Sequence, residues 1–285
     1  MSTTTAIAPI THRLQDRLVD QDRLVDRDRL SPQGDDSPVV LTLNGGMMTH
    51  AAWAPVTDGL LDGYRLLGCD FFGQLLSPGE GHPRLEDHVH DVVTLLDTLG
   101  LESVHVLGTS FGGEVGLILA ALHPSRVRSL AAVTAVDRTP KVLADNARAM
   151  AVITRDVLAG ADTAHFNDTL AQDVYSDAHR EAHRSEIAER RHQRLPDIWY
   201  QGLLNILRSV ENFDLSSHLG HITCPTWVVH AANDSVMPRP RVEALAQGIP
   251  NAQFEVHPTS GHALVLEDPA WLSERYRQFL GGLGD

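Results

Sequence analysis

The chain has 285 residues, of which 42% are hydrophobic and 21% charged, as is typical of a folded globular protein. A chain of this length can form one large domain, or a core that carries an inserted subdomain. Its formal net charge is −14 at pH 7, whereas nucleic acids and anionic membranes select basic surfaces. The composition therefore predicts neither a nucleic acid nor a membrane as partner, and it favours a neutral or apolar small substrate over a multiply anionic one.

The N-terminal residues and the cysteines indicate a cellular location. Residues 1–10 do not combine a basic stretch with a long apolar segment, so we expect no signal peptide. No apolar run is long enough to span a bilayer. Cys69 and Cys224 lie far apart beside apolar runs, which favours buried free thiols over a disulfide. These features predict a soluble cytoplasmic protein.

Residues 1–36 differ in pattern from the rest of the chain. A six-residue unit that starts with Asp-Arg-Leu begins at Asp16, Asp22 and Asp28, but it fades after two copies. Stacked repeat folds need at least three units of useful size. We therefore expect residues 1–36 to be a flexible or loosely docked leader without a direct role in function.

From residue 37 onwards, short apolar runs alternate with helical patterns. The apolar runs predict six strands, at residues 39–43, 64–69, 104–107, 131–136, 226–230 and 253–256. The helical patterns cover residues 85–99, 114–122 and 269–280. Strands that are apolar on both faces and separated by helices predict a mostly parallel central sheet flanked by helices.

Residues 138–222 interrupt this alternation, since they contain helical patterns and no candidate strand. We expect an all-helical lid subdomain there, inserted into a core formed by residues 37–137 and 223–285. Such a lid would shape a pocket over the carboxyl edge of the sheet and exclude water from it.

The sequence Gly-Thr-Ser-Phe-Gly at residues 108–112 fits the pattern G-x-S-x-G and lies between a predicted strand and a predicted helix. That context predicts a sharp, strained turn that presents Ser110 as a nucleophile above the sheet. A serine hydroxyl needs a neighbouring base to take its proton. Of the 16 histidines, His262 is the best candidate, because it lies in a late loop just before the closing helix.

The third catalytic group must orient the imidazole and stabilise its charged form. Asp234 follows the predicted strand at residues 226–230 and is our first choice. Asp137 directly follows the predicted strand at residues 131–136 and is the alternative. The order Ser110, Asp234, His262 is one that serine hydrolases use.

Two backbone N–H groups must bind the oxyanion that forms on the substrate. Phe111, which follows the nucleophile, is expected to supply one of them. The other should come from the turn after residue 43, with Gly46 as first choice and Met47 as second. Large apolar side chains near these motifs are the candidates for the substrate pocket, namely Met48, Trp53, Phe71 and Trp199.

Residues 38–280 resemble the alpha/beta-hydrolase superfamily, motif by motif and in the expected order. The motifs are Leu-Asn-Gly-Gly at 43–46, Cys-Asp-Phe-Phe-Gly at 69–73, Gly-Thr-Ser-Phe-Gly-Gly at 108–113, Asn-Asp at 233–234 with Pro238, and Gly-His at 261–262 with Leu-Glu-Asp-Pro at 266–269. The resemblance implies the alpha/beta-hydrolase fold and its triad. Most relatives carry His-Gly where this chain has Asn44-Gly45. Together with Gly73-Gln74, that departure also resembles the 3-hydroxyacyl transferases that take acyl groups from carrier protein.

These observations predict a serine hydrolase that cleaves a carboxylic ester, lactone or thioester through an acyl-enzyme on Ser110, without a cofactor. The alternative is an acyltransferase that moves a (3-hydroxy)acyl group from a carrier to an acceptor. A third reading is a non-catalytic protein that binds an acyl ligand. His179 and His183 lie four residues apart among charged residues, which is typical of a solvated helix face and predicts no metal site.

Overall fold

The structure, a computed structural model, describes residues 11–15, 37–58 and 63–283. These residues form a seven-stranded sheet with the spatial order β1-β3-β2-β4-β5-β6-β7. Strands β2 to β7 run parallel to one another, and β1 is antiparallel to its neighbour β3. The strands are β1 Thr11–Gln15, β2 Val39–Leu43, β3 Arg65–Asp70, β4 Val104–Thr109, β5 Val127–Val133, β6 Thr226–Ala231 and β7 Ala252–His257.

The helices pack on both faces of this sheet, which confirms the predicted fold class. In chain order they are α1 Ala54–Thr57, α2 Leu85–Thr98, α3 Phe111–Leu122, α4 Lys141–Leu158, α5 Ala164–Val174, α6 Asp177–Ala182, α7 Arg184–Arg190, α8 Asp197–Ser209, α9 Arg239–Gly248, α10 Leu264–Glu267 and α11 Pro269–Gly281. Short 3₁₀ turns occupy His50–Trp53, Pro124–Arg126 and Ser216–His221.

Alternate residues of the buried strands face two separate hydrophobic clusters, as the two-residue period of a strand requires. On one face, Leu41 and Val106 pack with side chains of α2 and α3. On the other face, Val40 and Leu107 pack with side chains of α1 and α11. Because both faces are covered, the strands are apolar along their whole length, and the sequence pattern detected them for this reason.

The fifth strand departs from its predicted bounds of 131–136. It starts at Val127 and ends at Val133. Thr134 has a φ of 47°, a left-handed conformation that a strand cannot continue. Its N–H still donates to the carbonyl oxygen of Val229, the residue that pairs with Val133 in the parallel register of β5 and β6. The apolar run in the sequence therefore extends beyond the strand, and Asp137 lies four residues past the strand end.

The N-terminal segment contributes β1 to the sheet. Thr11 pairs with Asp70 and Gln15 with Leu66 in an antiparallel register. Residues 1–10 and 16–36, which include the six-residue repeat, lie outside the described residues. The predicted leader therefore contains one strand that closes the β3 edge of the sheet.

Residues 138–222 contain α4 to α8 and no strand of the central sheet. Hydrogen bonds join the two ends of this helical insertion: the Leu215 N–H donates to the Asp137 carbonyl oxygen (2.7 Å) and the Phe213 N–H to Thr139 Oγ1 (3.0 Å). Helix α8 also packs tightly against the loop after β3, since a Cβ atom on Gly202 would lie 2.3 Å from the Gly73 carbonyl oxygen. The insertion is thus anchored to the core at its ends and along α8.

Two further features concern the predicted location and thiols. Among the helices of the described residues, none combines the length and the apolar character that crossing a membrane requires. Cys69 and Cys224 are both free thiols, and Cys69 is fully buried while Cys224 is partly buried.

His88 on α2 is a buried histidine whose pKa is well below the usual value. Its Nε2 atom lies 3.2 Å from the His82 carbonyl oxygen, and the side chain is completely buried. Burial, and secondarily the neighbouring His82, lower the pKa of His88 from 6.5 to about 4. The unfolded chain therefore binds a proton near pH 6.5 that the folded chain accepts only near pH 4.

We expect the free energy of unfolding to fall as the pH drops from 6.5 towards 4, with this one group contributing up to about 1.4 kcal/mol per pH unit. The substitution His88→Leu should flatten that slope, because the proton uptake on unfolding disappears. Urea unfolding midpoints between pH 7 and pH 4 measure the effect. His90→Leu changes an exposed histidine of the same helix and is the control; equal slopes for the two variants would contradict the assignment.

Candidate active site

A sharp turn between β4 and α3 holds Ser110 above the carboxyl edge of the sheet. Ser110 has φ 51° and ψ −125°, a strained conformation for a residue with a side chain. Its N–H donates to the Val133 carbonyl oxygen at 2.9 Å. A Cβ atom on Gly112 would lie 2.2 Å from the Leu43 carbonyl oxygen, so only glycine lets the turn close against β2.

Ser110, His262 and Asp234 form a continuous chain of hydrogen bonds. The Ser110 Oγ atom lies 2.9 Å from His262 Nε2, and His262 Nδ1 lies 2.9 Å from Asp234 Oδ2. The other carboxylate oxygen of Asp234 accepts from the N–H groups of Val236 and Met237, both at 2.8 Å. Since the carboxylate faces Nδ1, that nitrogen carries the proton and Nε2 is free to accept the serine proton.

Asp137, the alternative acid, lies elsewhere. Its buried carboxylate forms an ion pair with Arg241, with 2.9 Å between Nε and Oδ1. Burial raises the pKa of Asp137, and the Arg241 guanidinium opposes that rise. The hydrogen-bond partner of His262 is therefore Asp234, and Asp137 joins the start of the helical insertion to α9.

The loop after β2 faces the nucleophile. A Cβ atom on Gly46 would lie 3.8 Å from Phe111 Cβ, so this loop lies beside the first turn of α3. Within residues 37–58 and 63–283, the N–H groups of Gly46 and Met47 donate no hydrogen bond. The Phe111 N–H lies at the first position of α3 and lacks an acceptor within the helix. The predicted oxyanion donors are thus close together, and they are free to bind a substrate oxygen.

The Gln74 side chain sets the orientation of this loop. Its Nε2 atom donates to the carbonyl oxygens of Gly45 (2.8 Å) and Gly46 (3.3 Å). In a planar trans peptide, the N–H of the next residue points away from the carbonyl oxygen. By binding these two carbonyl groups, Gln74 fixes the directions of the Gly46 and Met47 N–H groups.

Gln74 is itself held by a buried polar network. Its Oε1 atom accepts from the Phe71 N–H (2.9 Å) and from Asn44 Nδ2 (3.2 Å). Asn44 also donates to Asp70 Oδ1, which in turn accepts from the His50 N–H. The sequence singled out Asn44 and Gln74 only as departures from the usual motif. Their support of the loop was missed, because it depends on contacts between separate segments.

A cavity of about 380 Å³ extends from Ser110 and His262 into the space between the core and the helical insertion. Its wall is mostly apolar. The apolar residues are Met47, Met48, Phe111, Leu143, Ala147, Met150, Leu170, Ala171, Val174, Ile187, Leu203, Ile206, Leu207, Val210, Val236, Met237, Ala263, Val265 and Leu266. Most of these side chains come from the insertion and from the loops that carry Asp234 and His262.

Of the predicted pocket residues, Met48 lines this cavity and three aromatic residues do not. Trp53 is buried and donates from Nε1 to Asn44 Oδ1 at 2.9 Å. Phe71 packs edge-on against Phe111 with 5.0 Å between the ring centroids. Trp199 packs against Phe166 inside the insertion. All three side chains are buried among packed neighbours, so the structure places them outside the lining of this cavity.

The rim of the cavity carries polar side chains, among them His179 and His183. Their rings stack with 4.2 Å between centroids, and both line the cavity, although we expected a solvated helix face. Across residues 37–58 and 63–283, no cluster of three or more His, Cys, Asp or Glu side chains is arranged to hold a metal ion. Within that part of the chain, the polar rim therefore offers hydrogen-bonding groups without a metal-binding cluster.

Hydrogen bonds connect the insertion to the two loops that carry the acid and the base. The Ala263 N–H donates to the Val174 carbonyl oxygen (2.8 Å), next to His262. Ser176 donates from its hydroxyl to Glu267 (2.7 Å). Ser235, next to Asp234, donates to the Asp173 carbonyl oxygen (2.9 Å). The insertion is therefore hydrogen-bonded directly to Ala263 and Ser235, the residues that follow His262 and Asp234 in the chain.

A strained serine at a strand-to-helix turn, joined to a histidine and an aspartate at the edge of a parallel sheet, defines an enzyme of the alpha/beta-hydrolase class. Residues 38–269 match the family model described as the alpha/beta hydrolase fold. The chain belongs to this family.

Known relatives have several hydrolytic activities. The chain is 30% identical to a protein of Stutzerimonas stutzeri (strain A1501) that has the provisional name carbamate hydrolase RutD, over 86% of this chain and 91% of that protein. It is 28% identical to 3-oxoadipate enol-lactonase 1 of Acinetobacter baylyi, over 87% and 89% of the two chains. Among solved structures, the alpha/beta hydrolase MGS-M2 from a Medee basin deep-sea metagenome library superimposes with a TM-score of 0.82 at 21% identity, covering 95% and 94% of the chains.

The two candidate acids can be separated by mutation. We expect Asp234→Asn to lower kcat for ester hydrolysis by about 10³- to 10⁴-fold, because the imidazole loses its orienting carboxylate. Asp137→Asn should leave kcat within a few-fold, and should lower the melting temperature because Arg241 loses its buried partner. Steady-state kinetics and thermal unfolding of both variants measure this; the opposite ranking in kcat would assign the acid to Asp137.

The role of Gln74 gives a second test at this site. We expect Gln74→Leu to lower kcat by about 10²-fold with a smaller change in KM, because the loop donors are no longer aimed at the transition state. The matched control is Gln247→Leu, which changes an exposed glutamine on α9. A Gln74→Leu variant with native kcat would show that the loop holds its conformation without this side chain.

Proposed function

We propose that this alpha/beta hydrolase cleaves a small, hydrophobic carboxylic ester, lactone or thioester through an acyl-enzyme on Ser110. The observation that carries the proposal is the hydrogen-bonded chain from Ser110 Oγ through His262 to Asp234, which opens into a mostly apolar cavity. This arrangement activates a hydroxyl group and places it beside a space for an acyl group.

The proposed reaction starts with attack of Ser110 Oγ on the substrate carbonyl carbon, while His262 Nε2 takes the hydroxyl proton. The carbonyl oxygen becomes an oxyanion that the N–H groups of Phe111 and of Gly46 or Met47 bind. His262 then gives its proton to the leaving alcohol or thiol as the carbon–oxygen or carbon–sulfur bond breaks. In the second half, a water molecule gives a proton to His262 and attacks the acyl-enzyme. His262 then returns that proton to Ser110 Oγ as its bond to the acyl carbon breaks, and the acid is released.

The cavity supports the proposed substrate class. A volume of about 380 Å³ with a mostly apolar wall suits an acyl group of small to medium size. Asp173, Glu186 and Arg190 lie among the charged lining residues; the two acidic groups outnumber the one basic group, which disfavours an anionic substrate. The names of the relatives, a carbamate hydrolase and an enol-lactonase, support cleavage of a bond between a carbonyl carbon and a heteroatom.

The helical insertion, residues 138–222, serves as the lid of this site in our proposal. Its hydrogen bonds to the loops of Asp234 and His262 keep it over the cavity and limit the access of water. That closure favours one second candidate, acyl transfer, in which an alcohol or amine replaces water in the second half of the reaction. The intact serine–histidine–aspartate chain supports either enzyme over a non-catalytic binding protein.

A series of 4-nitrophenyl esters of increasing acyl length tests the proposed function. We expect the native enzyme to hydrolyse the shorter members, with an optimum that reports the size of the cavity. Ser110→Ala should lower kcat by at least about 10³-fold. Ser185→Ala, which changes an exposed serine on α7, is the control. Native activity in Ser110→Ala would contradict the proposal.

Two further measurements complete this test. Mass spectrometry after treatment with a serine-directed phosphonate should locate the adduct on the peptide that contains Ser110. Addition of an alcohol during ester turnover distinguishes the two candidates, because a transferase forms the new ester in preference to the free acid.

A further inference from the structure

Glu114 is a buried acidic residue at the cavity that the proposed chemistry does not use. It lies one helical turn beyond Ser110 on α3, and its N–H donates to the Ser110 carbonyl oxygen at 3.0 Å. Its side chain is fully buried and belongs to the cavity lining. A residue four positions along the chain lies about one turn away, roughly 6 Å, so this carboxyl group is close to the nucleophile.

The carboxyl group of Glu114 lacks a hydrogen-bond partner. Across residues 37–58 and 63–283, neither of its side-chain oxygens is bonded to another protein group. Buried polar groups are nearly always paired, and an unpaired one destabilises the fold. Retaining a carboxyl group here therefore calls for a role that the free protein alone does not show.

Electrostatic stabilisation of α3 does not account for Glu114. An acidic residue in the first turn of a helix normally interacts with the positive end of the helix dipole. Burial, however, raises the pKa of Glu114 to about 8, so the group is mostly uncharged at pH 7. A protonated carboxyl group has one O–H donor and one carbonyl acceptor, and within residues 37–58 and 63–283 both are unused.

We infer that Glu114 is a specificity-determining residue that exchanges hydrogen bonds with a neutral hydroxyl or carbonyl oxygen on the acyl part of the substrate, close to the carbon that Ser110 attacks. The inference rests on the proposed function and adds to it the substrate class: acyl groups that carry a second oxygen near the scissile carbonyl.

The surroundings favour a neutral oxygen over a charged group. The cavity wall between Ser110 and the insertion is mostly apolar. An ionic group there would lose its hydration, and the wall would not replace it with interactions of equal strength. An anion would also meet two acidic residues, Asp173 and Glu186, against one basic residue, Arg190, on the same cavity. A hydroxyl or carbonyl oxygen needs only the donor and acceptor that Glu114 offers.

The test compares methyl esters that differ in one oxygen: methyl pentanoate and its 3-hydroxy, 3-oxo, 4-hydroxy and 4-oxo derivatives, followed by acid release at constant pH. We expect the native enzyme to prefer at least one oxygenated ester to methyl pentanoate by at least about tenfold in kcat/KM. The Glu114→Leu variant should lose that preference, and its kcat/KM for methyl pentanoate should exceed that of the native enzyme. Glu114→Gln, which keeps a donor and an acceptor, should retain most of the preference.

The outcomes separate this inference from the proposed function. If the native enzyme hydrolyses all the esters at similar rates, or if Glu114→Leu keeps the native preference, the inference is wrong and the hydrolase proposal stands. If neither methyl pentanoate nor the oxygenated esters are hydrolysed, and the nitrophenyl esters are not hydrolysed either, the proposed function itself fails. A purely structural role for Glu114 would change the melting temperature and leave the ratio of kcat/KM values as in the native enzyme.

Discussion

The close packing of the turn at Ser110 against the end of β2 is the constraint on which the site depends. Gly112 has no side chain, so the first turn of α3 approaches the Leu43 carbonyl oxygen to a distance that a Cβ atom would prevent. That approach strains the backbone at Ser110 and lifts its hydroxyl above the sheet. It also brings the loop after β2, which contains Gly45 and Gly46, close to Phe111. One contact between the first turn of α3 and the end of β2 thus places the nucleophile and the predicted oxyanion donors together.

The loop donors are useful only if their directions are fixed before the substrate arrives, because donors that must reorient contribute less to the transition state. Gln74 fixes these directions by donating hydrogen bonds to the carbonyl oxygens of Gly45 and Gly46. The network behind it is buried and hydrogen-bonded through Asn44 and Asp70. Such a network stabilises a single loop conformation when its members are paired. In this chain, Asn44 and Gln74 are the central members of that network.

Local patterns in the sequence predicted most of the fold and the three linked side chains, since strand periodicity and the Ser, Asp, His order are properties of short segments. The predictions that failed depend on long-range packing. The run at residues 131–136 is mostly apolar, but the strand ends at Val133 because Thr134 adopts a left-handed backbone conformation. Trp53 and Trp199 are large and apolar, and only the assembled core determines whether such a side chain faces a cavity or the interior. Glu114 was missed because the lack of a partner is a property of all its neighbours together.

The polar groups of the site fall into two sets, those that are hydrogen-bonded within the protein and those that are not. The second set supports the proposed substrate class. Asp234, Asn44 and Gln74 are paired within the protein, so they hold the site in shape. The N–H groups of Gly46 and Met47 and the Glu114 carboxyl are unpaired within residues 37–58 and 63–283. Unpaired N–H donors beside a nucleophile match the carbonyl oxygen of an ester. By the same reasoning, an unpaired neutral carboxyl in an apolar cavity matches the second oxygen that we propose on the acyl group, and each pairing made on binding would satisfy a group that the described residues leave without a partner.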